Sequence, residues 1–319
     1  MSAAKVGGGV NKLAMVFPGQ GSQKIGMLKA LSKEFLLIEK TFYEASDILG
    51  LDLWNLTQNG PESKLNETEW TQPALLTASV ALWRIYKEIS AKIPSYLAGH
   101  SLGEYSALVC AEALSFEDAV MLVHQRGQFM QSAVQPGQGA MSAVLGLSSE
   151  HVVNLCAEAA KGDIVSAANL NSPEQTVIAG DKAAVVRAES LLIAAGAKRV
   201  LSLPVSVPSH CALMAPAAKA LQKTLETISI FTPKIPVINN VNVKIETDPV
   251  NIKQALIDQL SMPVRWIEII QAIKSFGVTD IAECGAGQVL SGLNKRIEPS
   301  LHYFVMSTYD QLSLLLGEA

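Results

Sequence analysis

The chain has 319 residues, 49% of them hydrophobic and 17% charged, a balance that excludes intrinsic disorder and supplies a large core. Lys and Arg number 25 against 29 Asp and Glu, a net charge of −4, so no basic excess exists to neutralise phosphates and nucleic-acid binding is not expected. Mean hydropathy is +0.26, yet no apolar run approaches the ~18 residues of a membrane span, and no membrane association is expected.

The length suits about two domains. Residues 1–11 contain three consecutive glycines and lack the apolar segment of a signal peptide, so they are read as a leader outside the fold. The fold is expected to begin with a buried strand over Leu13–Phe17, followed by a loop through Pro18-Gly-Gln-Gly-Ser-Gln23. Helices are predicted over Lys29–Leu49 and Pro73–Ile89, the second opening on its proline. A short strand, Tyr96–Ala98, runs into Gly99-His-Ser-Leu-Gly103, and a helix continues to Leu114. Phe116–Ala133 is a further helix. Strands alternating with helices in this way argue for an α/β fold with a mainly parallel sheet.

The segment from Gly139 to Val205 has a different rhythm. Strand Ala140–Leu145, helix Ser149–Ala160, strand Ile164–Leu170, a turn at Asn171–Gln175, strand Thr176–Ala179, helix Lys182–Ala195 and strand Arg199–Val205 spell βαββαβ, the ferredoxin-like order. The α/β character then resumes with strand Val237–Val241, helices Val250–Leu260 and Arg265–Phe276, and strand Asp280–Glu283. The expected organisation is a large domain over 12–136 and 206–319, interrupted by an inserted domain at 137–205.

Cysteines stand at 110, 156, 211 and 284 with no C-x-x-C pair and no metal-type Cys/His cluster, a pattern that fits a reduced cytoplasm. Gly19-x-Gly21 and Gly285-x-Gly287 lack the third glycine of a dinucleotide fingerprint, and no phosphate-loop motif is present. No nucleotide or redox cofactor is therefore expected.

Gly99-His-Ser-Leu-Gly103 fits G-x-S-x-G between a strand and a helix, the setting of a nucleophile elbow. Such a turn lifts the Ser101 hydroxyl to the sheet edge, where backbone N–H groups at the helix start can hold an oxyanion. Read structurally, the same residues are a glycine-rich turn with a serine cap. A serine nucleophile needs a base. His100 adjoins it and should point elsewhere, His124 and His151 fall in helices, and His302 lies near the C-terminus. That leaves His210, in the loop Val205-Ser-Val-Pro-Ser-His-Cys211, and serine before histidine is the α/β-hydrolase order. An orienting acid is not readable. Glu150, Asp163, Glu174 and Asp181 lie between the two, but none sits at an obvious strand end, so the site is a dyad or its third member is hidden. Arg126, inside an apolar helix pattern, is either a snorkelling surface arginine or a clamp for a carboxylate.

Phe17-Pro-Gly-Gln-Gly-Ser-Gln23, Gly99-His-Ser-Leu-Gly-Glu-Tyr105, Gln125-Arg-Gly127, Pro208-Ser-His210 and Glu283-Cys-Gly-Ala-Gly287 occur in this order. Together, over roughly Leu13–Leu293, they resemble the malonyl-CoA:acyl carrier protein transacylases of bacterial fatty-acid synthesis. The resemblance implies an α/β-hydrolase-like large domain with a ferredoxin-like insert, Ser101 as nucleophile, His210 as base and Arg126 on the malonate carboxylate. It further implies an oxyanion hole from the backbone N–H groups of Gln20 and Leu102, and a Gln259 backbone carbonyl that orients His210 in place of an acid. Some relatives carry Phe before the histidine, where Ser209 stands here. The implied partners are malonyl-CoA and an acidic acyl carrier protein, the latter met by a basic patch drawn from Lys182, Lys198, Arg199, Lys295 and Arg296. No cofactor is implied, and a monomer is expected. A serine esterase or thioesterase with the same elbow, and a non-catalytic binding subunit, are the alternatives; Arg126 speaks against the first and an intact Ser101 and His210 against the second.

Overall fold

The structure is a computed structural model and describes residues 12–204 and 207–317. The leader at 1–11, the end of the expected strand Arg199–Val205 and the boundary at 205/206 lie outside the described residues. Two sheets organise the chain. The first has β1 (Leu13–Phe17), β2 (Tyr96–Gly99), β7 (Val237–Ile238), β8 (Asp280–Glu283) and β9 (His302–Val305) in the order β7-β2-β1-β8-β9. Every pairing in it is parallel.

Alternation along β1 feeds two cores. Met15 and Phe17 face a large cluster with Phe42, Leu76, Leu82, Tyr105 and Val123 from helices on one side. Ala14 and Val16 face the other, where Trp266, Ile269, Ile270 and Ile273 of helix Trp266–Ser275 pack with Ile281 and Leu290. The central strands are thus covered on both faces, as a parallel sheet requires.

The second sheet holds β3 (Gly139–Leu145), β4 (Val165–Ser172), β5 (Gln175–Asp181) and β6 (Arg199–Ser202) in the order β4-β5-β3-β6. All its pairings are antiparallel, with helix Ser149–Ala160 between β3 and β4 and helix Lys182–Ala194 between β5 and β6. It has its own core of Val144, Val152, Cys156, Ile178, Val185 and Leu192.

Several boundaries differ from expectation. The predicted helix Lys29–Leu49 is two, Lys29–Ser32 and Leu37–Leu49, because Ser32 Oγ turns onto the Lys29 carbonyl at 3.2 Å and Glu39 at 3.1 Å. The helix expected to start at Pro73 starts at Thr68 instead. Pro73 has no N–H for the Glu69 carbonyl, and His124 Nδ1 takes up that acceptor at 3.0 Å. The helix after the elbow stops at Cys110, with Glu112 left-handed at φ 59° and Ala113 N–H closing onto the Leu108 carbonyl at 2.9 Å. The strand Val237–Val241 shortens to Val237–Ile238 because the Asn239 side chain accepts from Val241 and Asn242 N–H at 3.1 and 3.0 Å and turns the chain. Among the described residues, no helix is long and apolar enough to cross a membrane.

Candidate active site

The site forms where the parallel strands end. β2 ends at Gly99, and Ser101 sits at the tip of the turn with φ 52°. The turn is as tight as glycine allows: a Cβ on Gly99 would lie 1.8 Å from the Gly103 carbonyl carbon, and one on Gly103 would lie 2.0 Å from the Phe17 carbonyl oxygen. β7 ends beside β2 and delivers Asn240. Its Oδ1 accepts the Ser101 N–H at 2.7 Å and its Nδ2 donates to the Gly99 carbonyl at 2.7 Å, clamping both arms of the turn.

His210 arrives from the loop that follows the second sheet, 3% exposed and at φ 61°. Its Nε2 lies 2.7 Å from Ser101 Oγ and its Nδ1 2.7 Å from the Gln259 carbonyl oxygen. Gln259 is the last residue of helix Pro249–Gln259, whose final carbonyls have no donor within the helix. The His210 N–H takes the next one, on Leu260, at 3.1 Å. Burial, then the nearby Arg126 charge, hold the imidazole down to about 3, against the pull of the Gln259 carbonyl. His210 is therefore neutral near neutral pH and ready to accept a proton.

Arg126 is 1% exposed, which rejects the snorkelling alternative. Its NH1 donates to Gln72 Oε1 at 2.8 Å, and its NH2 donates to Gln259 Oε1 at 2.9 Å and to Ser101 Oγ at 3.2 Å. The Gln259 side chain, 0% exposed, turns its Nε2 to the Ser101 carbonyl at 3.0 Å and to Glu104 Oε2 at 2.8 Å. Sequence reasoning assigned Gln259 a backbone role alone. It missed this amide, and with it Glu104, Asn240 and Gln72. Their signal is weak, since none forms a motif with the residues around it and their partners are distant in the chain. Asn240, a polar residue inside the predicted strand Val237–Val241, was the most findable.

Gln20, Leu102, Ser101, Arg126 and His210 all line one cavity of about 500 Å³, whose opposite wall is supplied by Met141, Asn169 and Asn171 of the second sheet. Leu102 is buried and begins the helix Gly103–Cys110, whereas Gln20 is exposed in the loop after β1. His100 turns away from the nucleophile, as expected, with Nε2 2.8 Å from Asn171 Oδ1. Burial pushes its imidazole below the ordinary range. The candidate acids stay apart from His210. Asp163 pairs with Arg187 at 2.7 Å, Glu174 with Lys198 at 2.8 Å, Asp181 accepts the Ile164 N–H at 2.8 Å, and Glu150 is exposed on helix Ser149–Ala160. Lys182, Lys198, Arg199, Lys295 and Arg296 are exposed, and Arg296 reaches Gln175 of the cavity rim at 3.0 Å.

A half-buried serine paired with a buried histidine, beside a buried guanidinium, can form an acyl-serine and discriminate for an acyl group carrying a negative charge. Comparison with known proteins agrees in kind. The acyl transferase domain family matches residues 14–284. A malonyl CoA-acyl carrier protein transacylase of Haemophilus influenzae is 57% identical over 289 residues, covering 90% of this chain and 93% of the relative. An acyl carrier protein S-malonyltransferase of Vibrio cholerae superposes with a TM-score of 0.94 at 54% identity, over 95% of this chain and 99% of that one. A malonyl-transacylase solved in complex with its holo type II PKS acyl-carrier protein superposes with a TM-score of 0.95 at 53% identity, over 97% of this chain and 100% of that one. The chain belongs to the malonyl CoA-acyl carrier protein transacylase family of acyl transferases.

Proposed function

We propose that the protein moves a malonyl group from malonyl-CoA to the phosphopantetheine thiol of acyl carrier protein through a malonyl-Ser101 intermediate, feeding fatty-acid synthesis. Family membership supports the reaction class. The observation that carries the substrate is Arg126, a buried guanidinium 3.2 Å from the nucleophilic oxygen. A site for neutral acyl groups has no use for a charge there, because burying it is costly.

Ser101 Oγ attacks the thioester carbonyl while His210 Nε2 takes its proton. The oxyanion rests against the Gln20 and Leu102 N–H groups, and the Gln259 carbonyl holds the imidazolium. The C–S bond breaks, His210 returns the proton to the departing sulfur, and CoA leaves as the thiol. The second half runs in reverse order: the carrier thiol gives its proton to His210, attacks malonyl-Ser101, and the serine is released protonated. Arg126 pairs with the free malonyl carboxylate throughout. No cofactor is assigned to any step.

The large domain reads as α/β-hydrolase-like over 12–136 and 206–319, and the insert at 137–205 as ferredoxin-like. The βαββαβ order and the strand order β4-β5-β3-β6 support the latter. The exposed cations Lys182, Lys198, Arg199, Lys295 and Arg296, of which Arg296 reaches the cavity rim, are assigned to docking of the acidic carrier protein. The protein is placed in the cytoplasm as a monomer.

Intact-mass spectrometry after mixing with malonyl-CoA tests the proposal. A single added malonyl mass that acyl carrier protein removes is the expected result. Hydrolysis of malonyl-CoA without transfer would make the protein a thioesterase, and an unmodified chain with intact malonyl-CoA would make it a binder.

A further inference from the structure

Glu104 stands three residues after the nucleophile, 2% exposed, and the reaction above does not use it. Its Oε2 accepts from Gln259 Nε2 at 2.8 Å and from the Asn240 N–H at 3.0 Å. The other end of the same Gln259 amide accepts from Arg126 NH2 at 2.9 Å. One side-chain amide therefore separates a buried carboxylate from a buried guanidinium. A direct ion pair would occupy the guanidinium face that an acyl carboxylate needs; the interposed amide leaves that face to the cavity while keeping the opposite charge close.

We propose that Glu104 sets how tightly Arg126 holds the carboxylate of an acyl group, competing as an anion at one remove for the same cation, and that it takes up a proton when that carboxylate arrives. The inference rests on the malonyl-serine reading above and concerns the selectivity of the same site. Coulomb's law at an effective dielectric of about 20 gives two like charges several ångströms apart an interaction large enough to change binding about tenfold.

The surroundings isolate the effect. Arg126, from helix Phe116–Ser132, is the charged side chain acting on Glu104; on the same helix Glu117 and Asp118 stand in the first turn, Asp118 accepting from Ser115, and His124 is engaged by the Glu69 carbonyl and Gln128. Strands β1, β2 and β7, which pack on the helix of Glu104, carry no Asp, Glu, Lys, Arg or His, and Tyr96 of β2 stacks away on Phe276. On helix Thr68–Ile89, Glu69 is held by Gln128, Arg84 pairs with Glu44, Lys87 with Glu112, Tyr86 donates to the Lys92 carbonyl and Glu88 faces solvent. Burial pushes the Glu104 carboxyl up to about 7, against its hydrogen bonds and Arg126. Burial carries Tyr105 on the same helix up to about 12, and His210 beyond Gln259 is held down to about 3, so neither titrates in the same range. Below neutrality Glu104 is neutral and the Arg126 charge is unopposed; above it the anion offsets that charge. By linkage, an arriving carboxylate raises the proton affinity of Glu104 by the factor that protonation raises malonyl affinity.

Thioester exchange onto Ser101 is proton-neutral, because the serine proton leaves on the CoA thiol. Stopped-flow mixing with a pH indicator near neutrality should therefore show fractional proton uptake per malonyl-serine formed, and none with acetyl-CoA. In the same protein the ratio of malonyl to acetyl kcat/KM should fall about tenfold as pH rises from about 6 to about 8.5. In Glu104→Gln, which keeps an acceptor of the same length, proton uptake should vanish, and the ratio should become flat and at the upper pH exceed the wild-type value about tenfold. A purely structural Glu104 would move both acyl groups alike and leave the ratio unchanged. A flat ratio in the wild type, or uptake that persists in Glu104→Gln, overturns the inference, and the wild-type arms decide it even where the variant does not fold. A chain that forms no acyl-enzyme with either donor overturns the underlying reading and the inference together, an outcome distinct from malonylation without uptake.

Discussion

The Nδ1 of His210 faces the peptide carbonyl of Gln259 at 2.7 Å, in the position where a serine triad has a carboxylate. The carbonyl is available because it closes a helix, where the last acceptors lack intrahelical donors. The bond sets the tautomer that leaves Nε2 free to take the Ser101 proton. The negative end of the helix dipole adds an attraction for imidazolium of about 0.3–1 kcal/mol, up to ~2 in buried geometries. That is weaker than a buried carboxylate, and thioesters, as activated donors, ask for less.

Ser101 should be the sole acylation site. Ser101→Ala should gain no mass with malonyl-CoA, while the wild type gains one malonyl group. The fold should survive, since the change removes one half-buried hydroxyl and keeps the Asn240 clamp on the backbone. Labelling that persists in Ser101→Ala would move the nucleophile elsewhere.

Arg126→Ala should separate malonyl from acetyl transfer. Leaving a buried carboxylate unpaired costs about 2–5 kcal/mol. At the low end this is a loss of about 30-fold in malonyl kcat/KM. Acetyl transfer should fall less or rise. Equal losses for both donors would reduce Arg126 to a structural role.

The elbow was legible because its chemistry is local: two glycines flank a serine between a strand and a helix. The second sheet was legible for the same reason, its strands and helices being consecutive in the chain. Arg126 has no local signature. Its partners Ser101, Gln72 and Gln259 lie 25, 54 and 133 residues away, and the pattern around it reads equally as a surface helix. Only the resemblance to a known family supplied its role. Strand β9 was missed because His302–Val305 is four residues at a sheet edge, exposed at its start and buried only at its end.

The pH profile of the nucleophile should report the depressed His210. A neutral fluorophosphonate tests it without involving a substrate carboxylate. Because burial and Arg126 hold His210 down to about 3, the imidazole stays unprotonated as pH falls through the ordinary histidine range. Labelling of Ser101 should hold within about threefold from about pH 8 to about pH 5. Half-loss near the ordinary value of about 6.5 would mean that His210 is solvated in solution.

No carboxylate side chain should be essential to the base. Converting Glu150, Asp163, Glu174 or Asp181 singly to its amide should leave acylation within about tenfold of wild type, far from the ~10⁴-fold loss when a triad aspartate is amidated. Each of the four is spent elsewhere or faces solvent. A loss of the larger size at any one would restore a conventional triad.

Gln259 serves the site twice, and substitutions should tell the two services apart. Its backbone carbonyl holds His210, while its side chain accepts from Arg126 and donates to the Ser101 carbonyl and Glu104. Gln259→Ala keeps the carbonyl and deletes the amide. It leaves a buried carboxylate and a buried guanidinium each short of a partner, at a cost of about 1–3 kcal/mol in stability. Arg126 is then no longer aimed, so malonyl kcat/KM should fall by about tenfold or more. Fluorophosphonate labelling of Ser101, which needs His210 but not Arg126, should stay within about fivefold. Gln259→Pro restrains the backbone at the helix end and removes an N–H, which in a helix interior costs ~3 kcal/mol or more. Both readouts should collapse in that variant. If Gln259→Ala instead abolished fluorophosphonate labelling while leaving the malonyl-to-acetyl ratio unchanged, the side chain would be supporting the base, and the division of labour between carbonyl and amide would be wrong.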